Sequence, residues 1–276
     1  MNWVRYFERN RRYRPLVPWE LGVALQPGVR APLVRSLQHF QAGERGTGAH
    51  LLEAAERHGD IEYAEALFLF IGEEQEHARL LGRILHALGA EPLCHYWGSR
   101  AFTFLRRLAG LRGELFVLLT AEIIGARYYC ALYEALPDPA LRAAFGQILR
   151  DEEAHLAFHR ESLHRLCRNV PRLLRPLLAG SLHVFFRVVC LVAAVDLRGV
   201  LSAVGVTPLR FVRECGYLYA EALTAIFERP ARSANARGQA RPTAAPVLTL
   251  DEARRLSFGE RRSSLSDARE LEAAVS

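Results

Sequence analysis

Two stretches of the chain, Glu73-Glu74-Gln75-Glu76-His77 and Asp151-Glu152-Glu153-Ala154-His155, each contain a Glu-x-x-His pair. At that spacing a carboxylate and an imidazole share one face of a helix, which is how a helix presents two ligands to one metal ion. A third pair, Glu161/His164, shows that the motif alone is weak, and a run such as residues 73–76 is usually a solvated acidic face. Spacing separates the pairs. Glu44 precedes Glu74 by 30 residues, Glu122 precedes Glu152 by 30, and one shift of 78 residues carries Glu44, Glu74 and His77 onto Glu122, Glu152 and His155. The same shift superposes Leu67 on Phe145, Ile71 on Leu149 and Leu85 on Leu163, whereas Glu161 shifted back meets Arg83. A duplicated helical hairpin explains this pattern, and it makes Glu44, Glu74, His77, Glu122, Glu152 and His155 the candidate metal ligands.

Burial supplies a second reason. Glu44 sits between Phe40 and Leu51 on an apolar stripe, and Glu122 sits between Leu118 and Tyr129 on another, so both carboxylates are expected to face the core. A carboxylate there needs compensation by a metal, an Arg or a proton. Four carboxylates and two imidazoles at one point carry about four negative charges, which two divalent cations would neutralise. A donor set rich in oxygen, with one imidazole per metal, suits iron or manganese better than zinc. Asp151 is a candidate partner for a ligand His, equally readable as a solvated residue. His159 lies one turn beyond His155 but has Leu81 as its repeat counterpart, and Tyr128 or Tyr129 is placed either to border the site or simply to fill the core.

The elements that must position these residues are helical. Half of the residues are apolar, Ala and Leu dominate, and β-branched residues are sparse outside short Val clusters, so an all-α fold is expected. Residues 1–28 contain Pro15, Pro18 and Pro27 and are expected to be an irregular arm. Residues 29–170 are expected to form a four-helix bundle. Its first helix runs from about residue 30 to the His58-Gly59-Asp60 breaker and its second ends at Gly89. A long crossover follows over residues 93–110, and two further helices are broken at Pro137-Asp138-Pro139. The architecture is thus two antiparallel helical hairpins joined by a crossover. Residues 171–228 are apolar, but Arg187, Asp196 and Arg198 leave uncharged runs too short for a membrane span, so extra helices packed on the bundle are expected, with membrane-surface contact as the lesser alternative. Residues 229–276, rich in Ala, Arg, Ser and Pro, have the composition of a disordered tail.

The formal net charge is +6, carried by 36 Arg and no Lys, with Arg5, Arg9, Arg11, Arg12 and Arg14 crowded near the start. Such a bias fits the coding composition better than a nucleic-acid surface, so no nucleic acid is expected as partner. Five separated cysteines, with no Cys-x-x-Cys, read as reduced buried thiols. With no apolar segment of signal-peptide type near Met1, a cytoplasmic location is expected.

Taken together, Ala42-Gly43-Glu44, Glu74 with His77, Ala121-Glu122 and Glu152 with His155 resemble the ferritin-like di-iron carboxylate superfamily over residues 30–166. In that superfamily two helices each give one Glu and two others each give a Glu-x-x-His. The motifs are similar to those of rubrerythrin, demethoxyubiquinone hydroxylase and aldehyde-deformylating oxygenase. The rubredoxin cysteines of rubrerythrin are missing. Leu81 stands where the ribonucleotide reductase small subunit carries its radical Tyr, and Glu44 where it normally has Asp. The resemblance implies two iron ions, with manganese or a mixed pair as variants, and an oxidase or oxygenase that uses O2, a small organic substrate and an external electron donor. It also admits iron handling or peroxide removal without an organic substrate, and a homodimer.

Overall fold

Asp60 stands before the apolar stripe of Tyr63, Leu67 and Phe70, and its side chain accepts a hydrogen bond from the Tyr63 backbone N–H at 3.0 Å, capping a 27-residue helix. Asp138 does the same for Leu141 N–H at 2.9 Å, with Pro139 in the first turn, where its missing N–H costs nothing. These caps start the two helices that carry the Glu-x-x-His pairs. The computed structural model describes residues 1–93 and 110–228, all within one compact unit. Among them the fold is all-α: α1 (Trp3–Arg12), α2 (Arg30–Glu44), α3 (Ala49–His58), α4 (Ile61–Ala87), α5 (Gly110–Ala135), α6 (Pro139–Cys167), α7 (Arg175–Asp196), α8 (Arg198–Ala203) and α9 (Pro208–Phe227).

The helices pack by hairpins. α2 and α3 lie against α4, α5 lies against α6, and α4 meets α6. Their shared core holds Leu37, Phe70, Leu81, Leu85, Leu119, Phe145 and Ile148, all essentially solvent-free. Across the hairpins, Phe40 stacks on Tyr128 with 4.2 Å between ring centroids. The expected crossover lies outside the described residues from 94 to 109, and so does the expected tail from 229 onward.

Two boundaries differ from the sequence expectation. The single first helix is two helices, α2 and α3, separated by residues 45–48. Gly46 and Gly48 explain the break: Gly48 adopts φ +62°, and a Cβ there would lie 2.5 Å from Ile71 Cδ1. The expected irregular arm instead begins with α1, capped by Asn2 on Arg5 N–H at 2.8 Å and packed on α4. Its buried Trp3 and Phe7 each meet Phe158 edge-on at 5.4 Å. The prolines are all later in the segment, so they do not prevent this helix.

The apolar region beyond α6 forms α7, α8 and α9. α9 packs on α5, α6 and α7, with Phe186 stacked on Tyr219 at 4.1 Å and Arg127 paired with Glu214 at 2.5 Å. Among the described residues two helices are, by length and composition, long enough and apolar enough to cross a membrane, although Arg187 divides the second into short uncharged runs. In α5 94% of the apolar window is buried, the mark of a core helix. In the 25-residue stretch Arg172–Asp196 the figure is 17%, so α7 packs by one face only.

Candidate metal centre

α4 and α6 are each polar along one narrow line inside the core. His77 and His155 have no solvent exposure, and their rings lie 5.5 Å apart. One donor atom from each of Glu74, His77, Glu152 and His155 lies within 4.8 Å of every other. His77 Nδ1 is 3.6 Å from Glu74 Oε1 and 3.7 Å from Glu152 Oε1, while His155 Nδ1 is 3.0 Å from Glu74 Oε1 and 3.4 Å from Glu122 Oε2. Glu44, at the last turn of α2, adjoins Glu74 and accepts a hydrogen bond from Tyr129 Oη at 3.1 Å. All six sequence-predicted residues therefore converge, four at the centre and Glu44 and Glu122 flanking it.

The histidines are oriented from behind. His77 Nε2 lies 3.0 Å from Asp151 Oδ2, and His155 Nε2 lies 3.0 Å from Glu73 Oε2. An ionised carboxylate can only accept, so each Nε2 carries a proton and each Nδ1 faces the cluster, where its lone pair becomes available to a metal once any proton on it is displaced. Glu73 and Asp151 are related by the same 78-residue shift as the six, and each serves the histidine of the opposite half. Asp151 thus takes the first of its two expected roles. Glu73, part of an acidic run expected to be solvated, is buried. Sequence reasoning missed it, although the repeat would have found it.

Two further residues, one on α1 and one just beyond it, were missed because that segment was expected to be irregular. Asn10 Nδ2 lies 2.6 Å from both Glu73 Oε1 and Asp151 Oδ1, and Arg14 reaches Asp151 Oδ2 at 2.6 Å and Glu73 Oε1 at 3.3 Å. They bridge the two outer carboxylates and offset the cost of burying them. The signal was present as Trp3, Phe7, Asn10 and Arg14, spaced four, three and four residues apart.

Inside this ring, five atoms on five of the six residues have no aligned hydrogen-bond partner: Glu74 Oε1, His77 Nδ1, Glu122 Oε2, Glu152 Oε2 and His155 Nδ1. Buried polar atoms are rarely left so, and here the orphans are donor atoms suited to metal, facing one another. Charge is correspondingly strained. Burial, then the negative charges of Glu122 and Glu74, pushes Glu152 well above the carboxylate range. Burial, then Glu74, does the same to Glu44. Burial alone would raise Glu122 and Asp151 too, but the imidazoles beside them hold both low. Burial would lower His155, yet its contacts with Glu122, Glu73 and Glu74 hold it well above the usual histidine range.

No family model, curated protein or solved structure matches this chain. What stands on the residues themselves is an all-helical protein with a buried Glu/His cluster suited to a metal ion and compatible with a di-iron site.

The remaining candidates separate cleanly. Glu161 accepts from Trp3 Nε1 at 2.8 Å and His164 Nδ1 donates to the Ile226 carbonyl at 2.9 Å, so the third Glu-x-x-His ties α6 to α1 and α9. Tyr129 borders the centre through Glu44, whereas Tyr128 bonds Ser36 at 2.7 Å behind it. Among the described residues Cys130, Cys167, Cys190 and Cys215 are buried and joined by no disulfide, and Cys94 lies outside them.

Proposed function

We propose that the chain is a ferritin-like dimetal carboxylate protein, with iron as its metal, that uses O2 to oxidise a small organic substrate at the expense of an external electron donor. The observation that carries this reading is the mirrored pair of half-sites, each with an inward Nδ1, a Glu on the same helix turn, a Glu from a neighbouring helix and an outer carboxylate contributed by the opposite half. Glu44, Glu74 and His77 would hold one ion, and Glu122, Glu152 and His155 the other, with Glu74 and Glu152 placed to reach both. When bound, the metal pair would supply the redox chemistry with O2.

The chain's own residues do the rest. Glu73 and Asp151 keep both imidazoles in the ligating tautomer, Asn10 and Arg14 hold those carboxylates, and Phe7 and Phe70 wall His155 on the apolar side. The α2–α4 side is the less covered one: Glu44 and Glu74 are only partly buried, and Glu44 borders the exposed residues 45–47. The same partial exposure suits a second reading, iron handling without an organic substrate, since free ions would have only a short way to the centre.

Repeated additions of ferrous iron and O2 distinguish the two. An oxygenase retains about two irons per chain and consumes further O2 only when reductant is supplied. Accumulation of many irons per chain would show the second reading to be the correct one.

A further inference from the structure

The repeat is not symmetric at His159. Its counterpart under the 78-residue shift is Leu81, a solvent-free core residue, whereas His159 is an imidazole with no solvent exposure whose two nitrogens both lack a hydrogen-bond partner. Burying an imidazole with neither nitrogen satisfied is costly, and a leucine serves at the equivalent place, so packing alone does not account for it. Its position does. His159 follows His155 by one turn on the same face of α6, and its Nε2 lies 3.8 Å from Glu122 Oε1. The other Glu122 oxygen, Oε2, lies 3.4 Å from His155 Nδ1, so this carboxylate is flanked by two imidazoles. Phe70 stands edge-on to both rings, at 4.7 Å from His155 and 4.8 Å from His159, and fixes their planes.

A separation of 3.8 Å is too long for a hydrogen bond. It is the right size for two donors on one cation, which at bond lengths of about 2.0–2.2 Å can lie up to roughly 4.2 Å apart.

We propose that His159 is a seventh metal ligand, binding through Nε2 the ion held by Glu122 and His155, so that the two metal positions are chemically distinct. One position has a single imidazole, His77, and the other has two. This inference rests on the dimetal reading above and specifies it further. The richer nitrogen donation favours a late divalent ion at the second position relative to the first.

Cobalt(II) titration of the metal-free protein, followed by its visible spectrum, tests the assignment against His159→Leu, which copies the Leu81 of the other half and so keeps the core filled. The wild type should take up two ions in unequal steps. His159→Leu should bind one ion unchanged and the other at least about tenfold more weakly, with an altered spectrum for that ion. Two ions bound by His159→Leu with wild-type affinities and spectrum would overturn the proposal while leaving the dimetal reading intact. A wild type that takes up no cobalt would remove both. Should His159→Leu fail to fold, nitrogen hyperfine couplings in the metal-loaded wild type grown with labelled histidine decide independently: three coordinated histidines are expected, and two would refute the assignment.

Discussion

At the scale of single residues, the centre is built by exchange between halves: Asp151 on α6 orients His77 on α4, and Glu73 on α4 orients His155 on α6. Removing the charge from one outer carboxylate should therefore act at a distance, on the ion of the opposite half. Asp151→Asn is expected to weaken metal binding on the order of 10–100-fold without unfolding the protein, measured by competition with a chelator, and Glu73→Gln should do the same at the other position. An affinity unchanged in both variants would mean that the inward Nδ1 geometry does not depend on these bonds. Protonation gives a second expectation. Glu44, Glu152 and His155 all bind protons more tightly than in an unfolded chain. Raised folded-state values contribute stability to the metal-free fold at low pH, and that contribution is lost as the pH rises through them. Metal displaces these protons, so uptake should release protons and affinity should fall as pH falls. Calorimetric titration in buffers of different ionisation enthalpy reads this directly, and zero proton release near neutrality would contradict it.

At the scale of elements, the break between α2 and α3 is enforced by Gly48. Gly48→Ala must place a Cβ in the left-handed region and against Ile71, so it should cost roughly 1–3 kcal/mol in thermal or denaturant unfolding. No loss of stability would show that the break is set by something else. The long helices α4, α5 and α6 and the cluster of Glu74, His77, Glu152 and His155 were legible in the sequence, because a repeat preserves spacing even where each motif alone is common. The break was not, because a regular apolar stripe outweighed two glycines. Helix α1 was hidden for a different reason: its inner face mixes Trp3 and Phe7 with Asn10, and Arg14 follows just past its end, so the stretch lacks the clean apolar period by which a helix is recognised. Those two polar residues face inward because they serve Glu73 and Asp151, and only tertiary structure shows that. The split use of Glu161 and His164, by contrast, agrees with their having no repeat counterpart.

At the scale of the whole molecule, α7 leaves one face open. Leu174, Leu177, Val184, Val188, Leu191 and Val195 are all more than half exposed and follow a three–four spacing along the helix. With the neighbouring Leu173 and Val192, each contributing on the order of 100 Å², two copies would bury close to the roughly 800 Å² per partner of a standard interface. Arg187, exposed midway along the same helix, suits the rim of a protein contact better than a lipid-immersed face. Light scattering should therefore show a dimer that Val188→Glu converts to a folded monomer; a wild-type monomer, or one that floats with lipid vesicles, would contradict this. The feature that most requires a metal is the set of unpartnered, inward-facing donor atoms shared between the two half-sites. The most direct test of that requirement is elemental analysis of the purified chain after anaerobic loading with ferrous iron and removal of loosely bound ions. The expected content is about two metal ions per chain. A chain that remains metal-free with both iron and manganese would contradict the account, and the carboxylates would then be neutralised by protons and by His155 alone.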